Sequence, residues 1–168
     1  LRHKASSVVF AGIADRPATE ACFRAGVGAR VALSIGATLD PKASQPVKAE
    51  GVVKFLLEQP NPARREAVVE IQGVMLVLSA YRRPYHNIQD FTRLGLEPKA
   101  FKIIVVKSGY LSPELAPIAN PSLMALSDGA INQDIVHLPA NRYRRPSYPF
   151  VADLKYTPKV YGSARNPR

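Results

Sequence analysis

The sequence predicts an α/β domain of the mixed α+β kind. It should hold a mixed sheet with a central KIIVVK strand, an antiparallel hairpin region and a few short covering helices. Three observations carry this. An apolar run at residues 7–13 (SVVFAGI) leads into a capped helical pattern. Two β-rich runs flank the dipeptide Gln72–Gly73, which suits a tight hairpin. A continuous apolar run with charged ends, residues 102–107, reads as a strand covered on both faces.

In chain order, residues 7–13 form a buried strand that ends near Gly12. Asp15 then offers a helix N-cap, Pro17 sits in the first turn, and residues 19–25 carry the helical pattern. Gly26 and Gly28 stop that helix. The unit looks like a nucleotide-binding start, but no glycine-rich loop lies between strand and helix, so a phosphate cradle is a poor reading. Residues 29–35 alternate as a second strand, and residues 47–57 form a long one. Pro60, Asn61 and Pro62 mark a loop. Residues 67–71 and 74–79 make the hairpin. Asn87 caps a short helix through Phe91 and Leu94 that Gly95 ends, and residues 98–101 give another helical turn. Ser112 caps a helix over residues 113–119, and residues 122–126 form a short strand. Beyond Pro139 the pattern fades.

The 168 residues, 46% hydrophobic and 21% charged, fit one ordinary domain with a sizeable core. Residues 1–150 are expected to form that domain, and residues 151–168 a basic, flexible tail. No apolar run approaches the ~20 residues needed to span a bilayer, which predicts a soluble, cytoplasmic protein with no membrane partner. Arg2, His3 and Lys4 ahead of residues 8–14 give a faint signal-peptide look, but the apolar run is too short and lacks a cleavage site. The single cysteine, Cys22, lies within a helical pattern and is expected to be buried.

The net charge of +10 invites a nucleic-acid reading. Its distribution weakens it, because residues 142–168 carry +6 and residues 1–141 only +4. A basic, Pro- and Tyr-rich tail contacts phosphates or is simply solvated, and nucleic acid ranks last among the partners considered.

No complete catalytic or metal site is visible. His3, His86 and His137 are far apart, no HExxH occurs, and Cys22 stands alone, so no zinc ligand set can be assembled from neighbours in sequence. No G-x-S-x-G elbow is present. Ser108 follows the strand at 102–107, where α/β sites often lie, but nothing near it in sequence suggests a base. The plainer reading is a loop serine at a strand end. Two polar clusters remain. In residues 81–90 (YRRPYHNIQD), Arg82 and Arg83 suit carboxylate or phosphate recognition, and His86 adds a proton carrier. The second is Lys107, Ser108, Gly109 and Tyr110. Both follow strands and are able to converge on one cleft. The alternative is a pair of surface loops, with the arginines paired to local acids such as Asp90.

Residues 102–150, from KIIVVKSGYLSPELAPIANP to the late LP…RRP…PF pattern, resemble the end of MlrC-type proteins, the microcystinase C family of metallopeptidase-like hydrolases. Residues 8–41, 51–56 (GVVKFL) and 81–98 (YRRPYHNIQDFTRLGLEP) fit in the same order, so the resemblance covers nearly the whole chain as the family's C-terminal domain. It implies a zinc-dependent hydrolase of amide bonds in peptide-like substrates. The zinc ligands would lie in an N-terminal domain of the same chain, which is the partner expected here. The glycine-rich acidic loop and helix that normally precede the first strand have no counterpart, and residues 1–4 look like the end of that helix. On this reading the chain is a piece cut ahead of Leu1 that binds no zinc and is inactive alone. It walls the cleft, with Arg82, Arg83, His86, Lys107 and Ser108 as contacts for substrate or the partner domain. The competing class is a non-enzymatic module that binds an anionic small molecule.

Overall fold

The computed structural model of the protein describes residues 5–42, 44–126, 132–138, 142 and 144–161. The chain divides into two compact units, Leu1–Leu123 and Met124–Arg168. The sheet and helices lie in the first.

Its elements are β1 (Val8–Ala14), α1 (Arg16–Ala25), β2 (Arg30–Ile35), β3 (Val47–Leu57), β4 (Glu66–Ile71), β5 (Val74–Ser79), α2 (Gln89–Thr92) and β6 (Ile103–Val106). The six strands form one mixed sheet in the order β2-β3-β4-β5-β1-β6. The run from β2 to β5 is an antiparallel meander. Strand β1 then pairs parallel with β5 on one side and with β6 on the other.

Local chemistry explains the boundaries. Asp15 caps α1, its Oδ1 accepting from the Ala18 N–H at 3.0 Å, and its Oδ2 accepts from the Gly36 N–H at 2.7 Å. One side chain thus ties the helix start to the end of β2. Gly26, at φ 85°, ends the helix. Gln72 and Gly73 both take positive φ, 51° and 84°, as a two-residue type I′ hairpin requires.

The sheet is covered on both faces by different elements. On one, Ala18 and Cys22 of α1 pack on Leu33, Ile35, Val53, Val69 and Leu78. On the other, Tyr85, Phe91, Leu94, Leu96 and Leu115 pack on Val9, Ala11, Val68 and Val77. Consecutive residues such as Val68 and Val69 therefore point into opposite cores and are both fully buried.

This corrects the position assigned to the strand at residues 102–107. Within the described sheet β6 is an edge strand, and Ile103 is 48% exposed. The strands with both faces covered are β4, β5 and β1. An unbroken apolar run reports β-forming residues, and it does not say how many neighbours the strand has. Two smaller expectations also fail. Residues 122–126 form no strand, and the helix expected over 113–119 shrinks to a single 3₁₀ turn, Ala116–Ile118. The Ser112 hydroxyl that should have capped it donates instead to the His86 carbonyl at 2.6 Å.

In the second unit a 3₁₀ turn, Ile135–His137, is closed by an Asp134–His137 contact of 2.8 Å. Residues 151–161 of the basic tail hold no helix or strand. Residues 162–168 of that tail, and the 1–4 segment with its signal-like charges, lie outside the described residues.

Candidate functional site

The chain leaves the carboxyl ends of β1 and β5 toward opposite faces of the sheet. Helix α1 follows β1 on one face, and the segment at 80–102 follows β5 on the other. Strand ends that diverge in this way are where open sheets of this type place ligands. The loop after β5 and the loop after β6 both reach this end.

The loop after β5 is held from below by a buried carboxylate. Glu66, the first residue of β4, is fully buried. Its Oε2 accepts from the Tyr85 hydroxyl at 2.6 Å, and both its oxygens accept from Arg83 Nη1, at 3.0 and 3.1 Å. Arg93 Nη2 donates to Oε1. Arg83 also pairs with Asp90 through Nη2 and lies 4.3 Å from the centroid of the Tyr85 ring. Burial raises the Glu66 carboxyl above its ordinary pKa, and the Tyr85 hydroxyl and Arg83 guanidinium pull it partly back. Burial, then the Glu66 carboxylate, pushes the Tyr85 phenol well above the usual tyrosine range.

The network continues upward into the loop. Asp90 Oδ2 accepts from the backbone N–H groups of His86 and Asn87, both at 2.9 Å. With Ser112 bonded to its carbonyl, His86 is clamped on both sides of its backbone. Asp90 thus takes the place expected for Asn87 as the organiser of this turn, and α2 has no side-chain cap.

The half-buried His86 imidazole faces the loop after β6. Its Nε2 is 3.4 Å from Ser108 Oγ, its Nδ1 is 3.4 Å from the Tyr110 hydroxyl, and its ring centroid is 5.2 Å from that of Tyr110. The two polar clusters of the sequence therefore meet at His86, and Ser108 has an imidazole that its sequence neighbourhood did not reveal. Arg82 and Lys107 are exposed on the same two loops. Arg83 is different in kind, because its side chain is 11% exposed and its guanidinium is bound to Glu66 and Asp90. Glu66 and Arg93 escaped the sequence reading. A lone acid opening the apolar run of β4 was the available signal for Glu66. Arg93 carried none.

Among the described residues, no group of three or more His, Cys, Asp and Glu side chains stands together to hold a metal ion. The buried carboxylates Asp15 and Glu66 are occupied by their own donors, and Cys22 is buried away from other ligands. These donor sets do not fit a zinc centre. Among the described residues, no helix is long and apolar enough to cross a membrane.

No curated protein matches the sequence. A solved structure of a metallopeptidase candidate from Mesorhizobium sp. BNC1 shares the fold, with a TM-score of 0.65 and 16% identity. It aligns over 90% of this chain, which spans only 32% of that protein's length. The family model for the MlrC C-terminus matches residues 1–142. With most of its length matched by that model, the chain belongs to the MlrC family, as its C-terminal region.

Proposed function

We propose that this chain is the cleft-forming C-terminal domain of a zinc-dependent amide or peptide hydrolase, inactive without the region that carries the metal. The observation that supports it most is the meeting of His86, Ser108 and Tyr110 at the carboxyl ends of parallel strands in an MlrC C-terminal region. Zinc, when bound, would polarise the scissile carbonyl and activate water. Its ligands would come from the longer part of the protein that this chain does not span. Here the side chains line and orient. Arg82, His86, Lys107 and Ser108 face the cleft as contacts for a peptide-like substrate or for the metal-bearing domain. Arg83 acts from beneath, through Asp90, by holding the loop that carries His86.

Two measurements test this. The purified chain, dialysed after exposure to zinc, should retain far less than one zinc per molecule and should not hydrolyse peptide amides. Stoichiometric zinc would overturn the ligand accounting. The reading frame upstream should encode a His- and Asp-rich domain in frame, and a start codon immediately before Leu1 would sink the proposal.

A further inference from the structure

The two hydroxyls beside His86 are not equivalent, and their other hydrogen bonds decide which ring nitrogen carries the proton. A serine hydroxyl has one proton to donate and two lone pairs. Ser108 Oγ lies 2.8 Å from the Tyr110 carbonyl oxygen, which only accepts. It lies 3.4 Å from the Tyr110 N–H, which only donates, and 3.4 Å from His86 Nε2. The shortest contact takes the hydroxyl proton. What Ser108 then turns toward His86 is a lone pair, which needs an N–H. In the neutral ring Nε2 therefore carries the proton, and Nδ1 is left as an acceptor.

Nδ1 faces the Tyr110 hydroxyl at 3.4 Å, as long a contact as that between Nε2 and Ser108; the two differ in that Ser108 has its proton committed to the Tyr110 carbonyl at 2.8 Å. Tyr110 is 59% exposed, so a solute reaches this contact. The mount is fixed, because the His86 backbone is held by Asp90 at 2.9 Å and by Ser112 at 2.6 Å. The result is an acceptor and a donor side by side, loosely joined to each other. One residue of an extended peptide carries the complement on a single edge, its own N–H for Nδ1 and its own carbonyl for the tyrosine hydroxyl. A carboxylate has no proton for Nδ1.

We infer that His86 and Tyr110 form an amide-recognition pair, and that Ser108 is a positioning residue that sets the His86 tautomer and is not a nucleophile. The substrate class rests on the function proposed above; the tautomer does not.

The test uses the whole chain and long-range ¹H–¹⁵N spectra of the histidine rings at about pH 8.5, where a free imidazole is neutral. His86 should show a protonated Nε2. Ser108→Ala should abolish that preference, while Tyr110→Phe should leave it intact. Titration with N-acetylalanine methylamide should shift the His86 ring nitrogens saturably, and acetate should not. Tyr110→Phe and Ser108→Ala should each weaken amide binding by at least about threefold, as expected for one lost hydrogen bond. Circular dichroism checks that each variant is folded. A protonated Nδ1, labelling of Ser108 by a fluorophosphonate, acetate binding as well as the amide, or no amide binding would each overturn the inference. Zinc retained by the chain would defeat the proposed function, whereas the tautomer is read on the chain stripped of metal by a chelator, so the two failures are distinguishable.

Discussion

Glu66→Ala removes the carboxylate on which the loop after β5 is built. Three donors converge on it: Arg83, Arg93 and the Tyr85 hydroxyl. Arg83 is 11% exposed and Tyr85 2%, so neither can turn to water without unpacking. Removing one partner of a buried ion pair costs about 3–5 kcal/mol, chiefly because the other charge is left buried. For a domain of this size that is a fall in Tm of roughly 10–15 °C. Glu66→Gln keeps an oxygen for Tyr85 and the shape of the site, and should lose about half as much. Arg83 would keep Asp90 as a partner, but the Glu66–Arg83 interaction is lost only once, so Glu66→Ala/Arg83→Ala should be more stable than the sum of the single changes allows. Thermal and urea unfolding followed by far-UV circular dichroism read all five proteins, with Arg83→Ala alone included. If Glu66→Ala unfolds within about 1 kcal/mol of the parent, the network is not what holds the loop.

Two further predictions concern the same core. A methyl group at Gly12 would overlap the Tyr85 ring, so Gly12→Ala should destabilise by about 1–3 kcal/mol, and the cost should largely vanish in a Tyr85→Ala background. An equal cost in both backgrounds would place the strain elsewhere. Burial pushes the Cys22 thiol up to about 11 from its unfolded value of 9.0, with a backbone hydrogen bond opposing. A raised folded-state pKa gives stability that is fully present below the unfolded value and lost as pH rises through the folded one. The Tyr85 phenol acts in the same direction. The urea midpoint should therefore fall between pH 9 and 11, and Ellman's reagent should leave native Cys22 unmodified near neutral pH yet label it in urea. A midpoint flat across that window, or prompt native labelling, would contradict the burial argument.

The sequence was most legible where local chemistry decides conformation. Asp15 with Pro17 announced α1, and Gln72–Gly73 announced the β4–β5 turn, because caps and type I′ turns need particular residues at particular positions. It was least legible where partners are remote. Nothing in the Lys102–Lys107 run could tell an edge strand from a central one, since that depends on β1 alone occupying the far side of β5. Ser112 looked like a cap and bonds His86 instead. The expected Arg–acid pairing within residues 81–90 does occur, as Arg83 with Asp90. Its deeper anchor, Glu66, lies across a strand and a loop and could not be chosen among the acids by spacing. The polar loops themselves stood out in sequence as two clusters after strands. Their meeting at His86 is a product of β1 running between β5 and β6.

That placement of β1 also sets an order of assembly. Val8 pairs with Val74 and Ile103, so β1 has no partner in this sheet until β5 and then β6 have been made. The β2–β5 meander needs only neighbouring segments and can fold without it. Threading β1 between β5 and β6 closes long loops whose entropy must be lost before the contacts form, which slows parallel pairing of this kind. Until then the apolar residues of β1 stay exposed. The His86 cluster, which needs the loops after both β5 and β6, is complete only when β1 has paired with both strands.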